Sequence, residues 1–285
     1  MPWMDWVIKT NPIASYFGEQ SSKFAFISAG LVNKRVAQLQ NFAEKGLDPG
    51  PRNFIDRFLE AKKANPNIID DRQVVIYTMT NIVAGSDTTA VTLRAIVYFL
   101  LKHPEILQKL LWELREAKLG FPVTWKDSQT LPYLRAVVQE SLRLHPAVGY
   151  GLERIVPAKG FRMDDGTVLP GGSQVGMNSW VVHLDPVFGE DPKCFKPERW
   201  LKGEHENEET YKARIAAMRR ADLTFGHGSR TCTGKNISYL EIYKLIPSLL
   251  MKFKLELVGG VEKEWKTKNK WFVRQWDMDC YVTER

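Results

Sequence analysis

The residues best suited to chemistry stand in one run, Phe225-Gly226-His227-Gly228-Ser229-Arg230-Thr231-Cys232-Thr233-Gly234, with a helical stretch at 236–250 behind it. A lone cysteine is most often a small buried apolar side chain. Here the surroundings argue for chemistry instead. The glycines let a loop approach a flat ligand closely, and Gly234 leaves the space beside the sulfur open. A helix that starts just after Cys232 offers unpaired N–H groups and a positive end, both of which stabilise a thiolate. Arg230 is placed to clamp a carboxylate through two parallel hydrogen bonds.

Two further groups stand out. Glu140-Ser141-Leu142-Arg143 puts an acid and a guanidinium on one helix face, and Pro197-Glu198-Arg199-Trp200 follows downstream. On an exposed helix the Glu140–Arg143 spacing would contribute only tenths of a kcal/mol. The other group, Ala84-Gly85-Ser86-Asp87-Thr88-Thr89, lies in the middle of a long helical pattern. Glycine there costs about 1 kcal/mol against alanine, and Asp and Thr cost several tenths each. Small residues can serve as a packing notch, but locally wrong chemistry also concentrates at functional sites.

The decapeptide around Cys232 resembles the haem-binding signature of the cytochrome P-450 family, with Phe, Gly, Arg, Cys and Gly at the family's spacing. That resemblance implies haem b (iron protoporphyrin IX) as cofactor and Cys232 as its iron ligand. It implies Phe225 packed near the thiolate, Gly226 and Gly234 shaping the loop, and Arg230 on a haem propionate. Gly151-Leu152-Glu153-Arg154 is similar to the segment that supplies a second propionate partner, Arg154. His227 receives no ligand role. Glu140, Arg143 and Arg199 resemble the family's buried Glu-Arg-Arg network, which is architectural. Matched to the oxygen-activation segment, Thr88 hydrogen-bonds dioxygen and Asp87 feeds a proton relay, while Ala84 and Gly85 leave room over the haem face. Ile82, Val83, Val148, Tyr150 and residues 270–272 correspond to substrate-contacting regions.

The implied reaction is insertion of one oxygen atom from dioxygen into a small lipophilic substrate. Electrons would come from NADPH through a separate NADPH-cytochrome P-450 reductase, with cytochrome b5 as a second donor. The Trp3-containing start and the tail Trp271-Phe272-Val273-Arg274-Gln275 look like fungal members of the pisatin demethylase or benzoate hydroxylase type, hence secondary or xenobiotic metabolism. The resemblance maps onto the C-terminal part of a family member, lacking its anchor and most of its main sheet. The intact parent is expected on the cytosolic face of the endoplasmic reticulum membrane, and this chain, without an anchor, in the cytoplasm. The alternative is a truncated, inactive haem-binding or apo remnant, against which the acid and alcohol at Asp87 and Thr88 speak.

The elements that must position these residues can be read from pattern and punctuation. Residues 1–45 carry Trp3, Trp6, Phe17, Phe24 and Phe26 without a clean period and suggest two or three helices. A short amphipathic helix is expected at 53–64, and a long one at 70–102, opened by Asp70 and Asp71 and stopped by His103-Pro104. Two more helices follow, one after Pro104 reaching toward Gly120 and one at 133–144. Asp165-Gly166 reads as a hairpin turn, and 173–177, 253–258 and 271–282 as strands. The expected fold is mainly α with a minor β part: a cytochrome P-450 fold, incomplete at the N-terminal side, with residues 1–285 as a single haem-binding domain.

Composition bounds the rest. A hydrophobic content of 44% is enough for a core in 285 residues. The net charge of +7 is scattered over both signs and comes with no recognition motif, so nucleic acid is not an expected partner. Cys194, Cys232 and Cys280 are too few and too widely spaced for a disulfide framework and imply a reducing compartment. No window approaches 18 unbroken apolar residues, and the start lacks a signal-peptide layout.

Overall fold

Helix boundaries in the structure, a computed structural model that describes residues 19–285, fall where capping residues put them. Helix α1 spans Glu19–Glu44 and α2 Phe54–Ala64. Asn53 caps α2 by accepting from Asp56 N–H, while the Asp56 carboxylate accepts from Asn53 N–H. Helix α3 runs Asp71–Lys102, with Asp70 accepting the N–H of Gln73 at its start. The poor helix formers at 84–89 do not interrupt it. Pro104 and Pro132 open α4 (Pro104–Glu116) and α6 (Pro132–Leu144), on either side of the one-turn α5 (Trp125–Ser128). Helix α4 therefore stops four residues short of Gly120. Of the helices expected over 1–45, α1 is described; Trp3, Trp6 and Phe17 lie outside the described residues.

The second half is mixed. Strands β1 (Leu152–Ile155), β2 (Phe161–Arg162), β3 (Val168–Leu169) and β4 (Gln174–Met177) precede the one-turn helix α7 (Ser179–Val182). An irregular run with two 3-10 turns leads to α8 (Glu208–Ala221), the cysteine loop and α9 (Lys235–Lys252). Four strands close the chain: β5 (Phe253–Leu257), β6 (Lys266–Lys270), β7 (Phe272–Trp276) and β8 (Cys280–Glu284). Among the described residues the strands pair only as antiparallel two-stranded ribbons, β1–β4, β2–β3, β5–β8 and β6–β7. The run 271–282 is thus not one strand: Asp277, at a φ of 62°, divides it between two ribbons.

Two compact units meet within α3, the first ending at Ser86 and the second beginning at Asp87. In the first, Val32, Ile69 and Val74 form a small core, and Arg35 holds Asp56 through two hydrogen bonds of 2.7 and 2.8 Å. In the second, Ile96 and Leu100 of α3 pack with Leu110 of α4, Leu134 and Val138 of α6, and Ile242 and Ile246 of α9. Complete burial of such side chains contributes about 1.5–3 kcal/mol each, so this cluster fixes the helices that carry the site. A satellite core of Phe188, Trp200, Ile215 and Met218 anchors the irregular run against α8.

Candidate functional site

The cysteine loop is closed on itself. Cys232 N–H donates to the carbonyl of Phe225 at 2.8 Å, Gly226 N–H to Leu223 at 3.0 Å, and Thr231 N–H to Gly228 at 3.1 Å. Gly226 and Gly228 take φ values of 70° and 71°, a left-handed backbone that any side chain would strain. The loop leaves Cys232 and Arg230 exposed, with α9 starting three residues after the sulfur. A Cβ added to Gly234 would lie 3.8 Å from the Cys232 sulfur, covering one flank of it. The Phe225 ring is half-buried against Tyr239, their centroids 5.0 Å apart, and Lys235 sits over it at 5.6 Å. Burial raises the Tyr239 phenol well above its ordinary range, so it stays neutral there.

Strand β1 lies beside this loop. The Arg154 guanidinium donates to its neighbour's carbonyl at Glu153 (2.8 Å) and reaches the carbonyl of His227 at 3.4 Å. It is the His227 backbone that the structure engages, and its ring is exposed. Arg154 and Arg230 are thereby two exposed cations at the margin of one loop. Nearby, Gly149 N–H donates to Trp271, and Asn269 donates to the Gly149 carbonyl at 2.6 Å. A Cβ on Gly149 would fall 2.3 Å from the Asn269 side chain, so only glycine admits the β6–β7 ribbon this closely. The approach stacks Tyr150 on Trp271 with centroids 5.7 Å apart, both half-exposed or more.

On α3, Asp87 is exposed, Thr88 half-buried and Thr89 buried. The Thr89 hydroxyl lies 3.5 Å from that of Ser238, in the first turns of α9. The helix segment bearing Asp87 and Thr88 is therefore held beside the helix that begins just after Cys232. Ala84 and Gly85 are exposed in the first unit, where Ile82 and Val83 are half-buried. The hydroxyls of Ser86 and Thr92 bond back to the carbonyls of Ile82 and Thr88, satisfying polar groups within the helix.

Glu140, Arg143 and Arg199 form a fully buried cluster. Arg143 spans the Glu140 carboxylate with bonds of 2.9 and 2.7 Å, and Arg199 Nε adds a third at 2.8 Å. Lys196 N–H and the indole N–H of Trp200 complete the carboxylate's acceptors. The remaining guanidinium N–H groups collect carbonyls of the irregular run: His183, Pro192 and Cys194 for Arg143, and Phe188, Glu190, Asp191 and Cys194 for Arg199. Spacing did not reveal Trp200 as a member, nor the role of His183. That buried ring bridges the Arg143 carbonyl and the N–H of Leu223, two residues before Phe225. The acid-guanidinium cluster is thus wired to the cysteine loop.

The donor chemistry narrows what the loop can hold. Among the described residues no three His, Cys, Asp or Glu side chains gather as a metal site. A single exposed thiol holds a metal firmly only when a chelate brings the other ligands, as a tetrapyrrole does, and two flanking arginines suit a chelate that carries carboxylates. Comparison with known proteins agrees. The family model for cytochrome P-450 matches residues 4–276. The cytochrome P-450 monooxygenase cicH of Emericella nidulans is 42% identical over 279 residues, 96% of this chain and 53% of that protein. Pisatin demethylase of Fusarium vanettenii is 39% identical over 249 residues, 85% of this chain and 45% of that protein. The chain spans about half the length of the curated relatives it matches. A crystal structure of a cytochrome P-450 (CYP102L1) superimposes with a TM-score of 0.74 at 21% identity, over 97% of this chain and 58% of that one, which speaks for the fold. By sequence match and by architecture, the chain belongs to the cytochrome P-450 family.

Proposed function

We propose that the chain serves a haem-thiolate monooxygenase that inserts one oxygen atom from dioxygen into a lipophilic organic substrate, of fungal secondary or xenobiotic metabolism. The observation that carries this reading is the exposed Cys232 thiol, held by Phe225 in a closed glycine loop at the start of α9. Haem b, when bound, supplies redox-active iron for dioxygen activation. Cys232 would supply the iron-ligating thiolate, Phe225 and Gly226 would shape the loop around it, and Arg230 and Arg154 would pair with the propionates. Asp87 exchanges protons with water, and the Thr88 hydroxyl passes them onward. Ala84 and Gly85 keep the adjoining helix surface free of bulk. Glu140, Arg143 and Arg199 keep the loop in place and take no part in proton transfer.

On this reading the chain acts as one haem-binding domain. Electrons come from NADPH through a reductase, with cytochrome b5 as a second donor, at the cytosolic face of the endoplasmic reticulum. Among the described residues no helix is long and apolar enough to cross a membrane. Haem titration of the chain and of Cys232→Ala tests the reading. Reduced and exposed to carbon monoxide, the parent should show the red-shifted Soret band of a thiolate ligand, and the variant should not. An identical spectrum in both would remove the ligand assignment.

A further inference from the structure

A cavity of about 760 Å³ lies in the second unit between α3 and the β6–β7 ribbon, and of the residues singled out above it is lined by Asp87 and Phe272. Its volume is that of a pocket for a small organic molecule. Three cations line it: Arg94 of α3, Lys268 of β6 and Arg274 of β7. Lys268 and Arg274 are directly opposed across the ribbon, a like-charge pairing that destabilises a bare antiparallel pair. Lys266, two pairs further along and on the same face, is balanced by Asp277 at 2.7 Å. Among the described residues Lys268, Arg274 and Arg94 have no such acid; Arg94 donates only to the Gln275 carbonyl, at 3.2 Å.

The same walls offer the rest of a binding site. Phe272 and Trp276 alternate with Val273 and Gln275 along β7 and so share the face of Arg274. Gln275, on the opposite face with Val273, is 6% exposed and donates its amide to the Val91 carbonyl at 3.0 Å, which ties the ribbon to α3. Asp87 and Arg94 are seven residues apart on α3, about 10 Å along the axis, which separates the acidic and basic ends of the cavity.

We propose that this cavity binds an aromatic carboxylic acid, its carboxylate between Arg94, Lys268 and Arg274 and its ring against Phe272 and Trp276. Binding does not depend on the oxygenase reading. If that reading holds, the ligand's neutral end faces Asp87, and the substrate class is an amphipathic acid.

Calorimetric titration of the purified chain tests this with 2-naphthoate and its methyl ester as probes. The acid should bind at least about tenfold more tightly than the ester, with an affinity that falls as salt rises. Arg274→Gln and Lys268→Gln, both at exposed positions, should each weaken the acid about tenfold and leave the ester unchanged. Equal affinities for acid and ester, unchanged binding in both variants, or no heat with any probe would overturn the proposal. Cys232→Ala should keep the acid preference, so a failed thiolate assignment and a failed acid site give different results.

Discussion

His183 accepts the backbone N–H of Leu223 on Nε2 at 2.8 Å, while its Nδ1 faces the Arg143 carbonyl at the same distance, so the buried ring is neutral with its proton on Nδ1. Burial, outweighing the pull of Asp222, lowers its pKa. His183→Ala should leave a buried donor and a buried acceptor unpaired and remove about 2–5 kcal/mol of stability, read as a shift of the urea midpoint. A variant that unfolds with the parent would show that the bridge is dispensable.

A second histidine sets an acid limit. Burial among Trp180 and Trp265 lowers His145 to about 4. The unfolded chain takes up that proton below about pH 6.5, whereas the native fold resists it until about pH 4. Stability from this group is complete above the unfolded value and declines as pH falls through the window, by about 3 kcal/mol in all. Melting temperature against pH should therefore slope down between 6.5 and 4, and His145→Phe should flatten that limb.

Glu140→Gln tests the buried cluster. The change removes the charge that two guanidinium groups surround, and unfolding free energy should fall by about 3–5 kcal/mol. Arg143→Lys keeps the charge but loses the two-pronged contact and three carbonyl bonds, and should be destabilised as well. A Glu140→Gln protein of parental stability would reduce the cluster to a dispensable ion pair.

Local signals were legible wherever a single residue dictates backbone behaviour. Asn53, Asp70, Pro104 and Pro132 mark helix starts, and Asp165 with Gly166 marks the β2–β3 turn. Helix α8 was not read because it buries only Ile215 and Met218 and so lacks an apolar stripe, although Asn207 and paired acids stand at its start. The division at Asp277 follows from one left-handed residue that composition does not flag. At the site, the glycine loop and Glu140 with Arg143 are short-range patterns. His183 with Leu223, Trp200 with Glu140 and Gln275 with Val91 lie 40, 60 and 184 residues apart, and no spacing rule connects them.

Thr88→Ala separates proton delivery from helix packing. If the hydroxyl passes protons, the variant should keep haem uptake and its spectrum. The ratio of product to hydrogen peroxide, measured per NADPH consumed, should fall by at least about tenfold. Product formation as tightly coupled as in the parent would assign Thr88 to packing alone.

Between residues 183 and 199 six main-chain carbonyls turn toward just two guanidinium groups, and that spool is tethered through His183 to the segment carrying the sulfur. Loosening the end of α6 would let the whole strap slacken and displace the thiol with it. Heat should therefore release a bound porphyrin and melt the helical core in one shared transition, with no apo protein of native architecture persisting at temperatures between the two events.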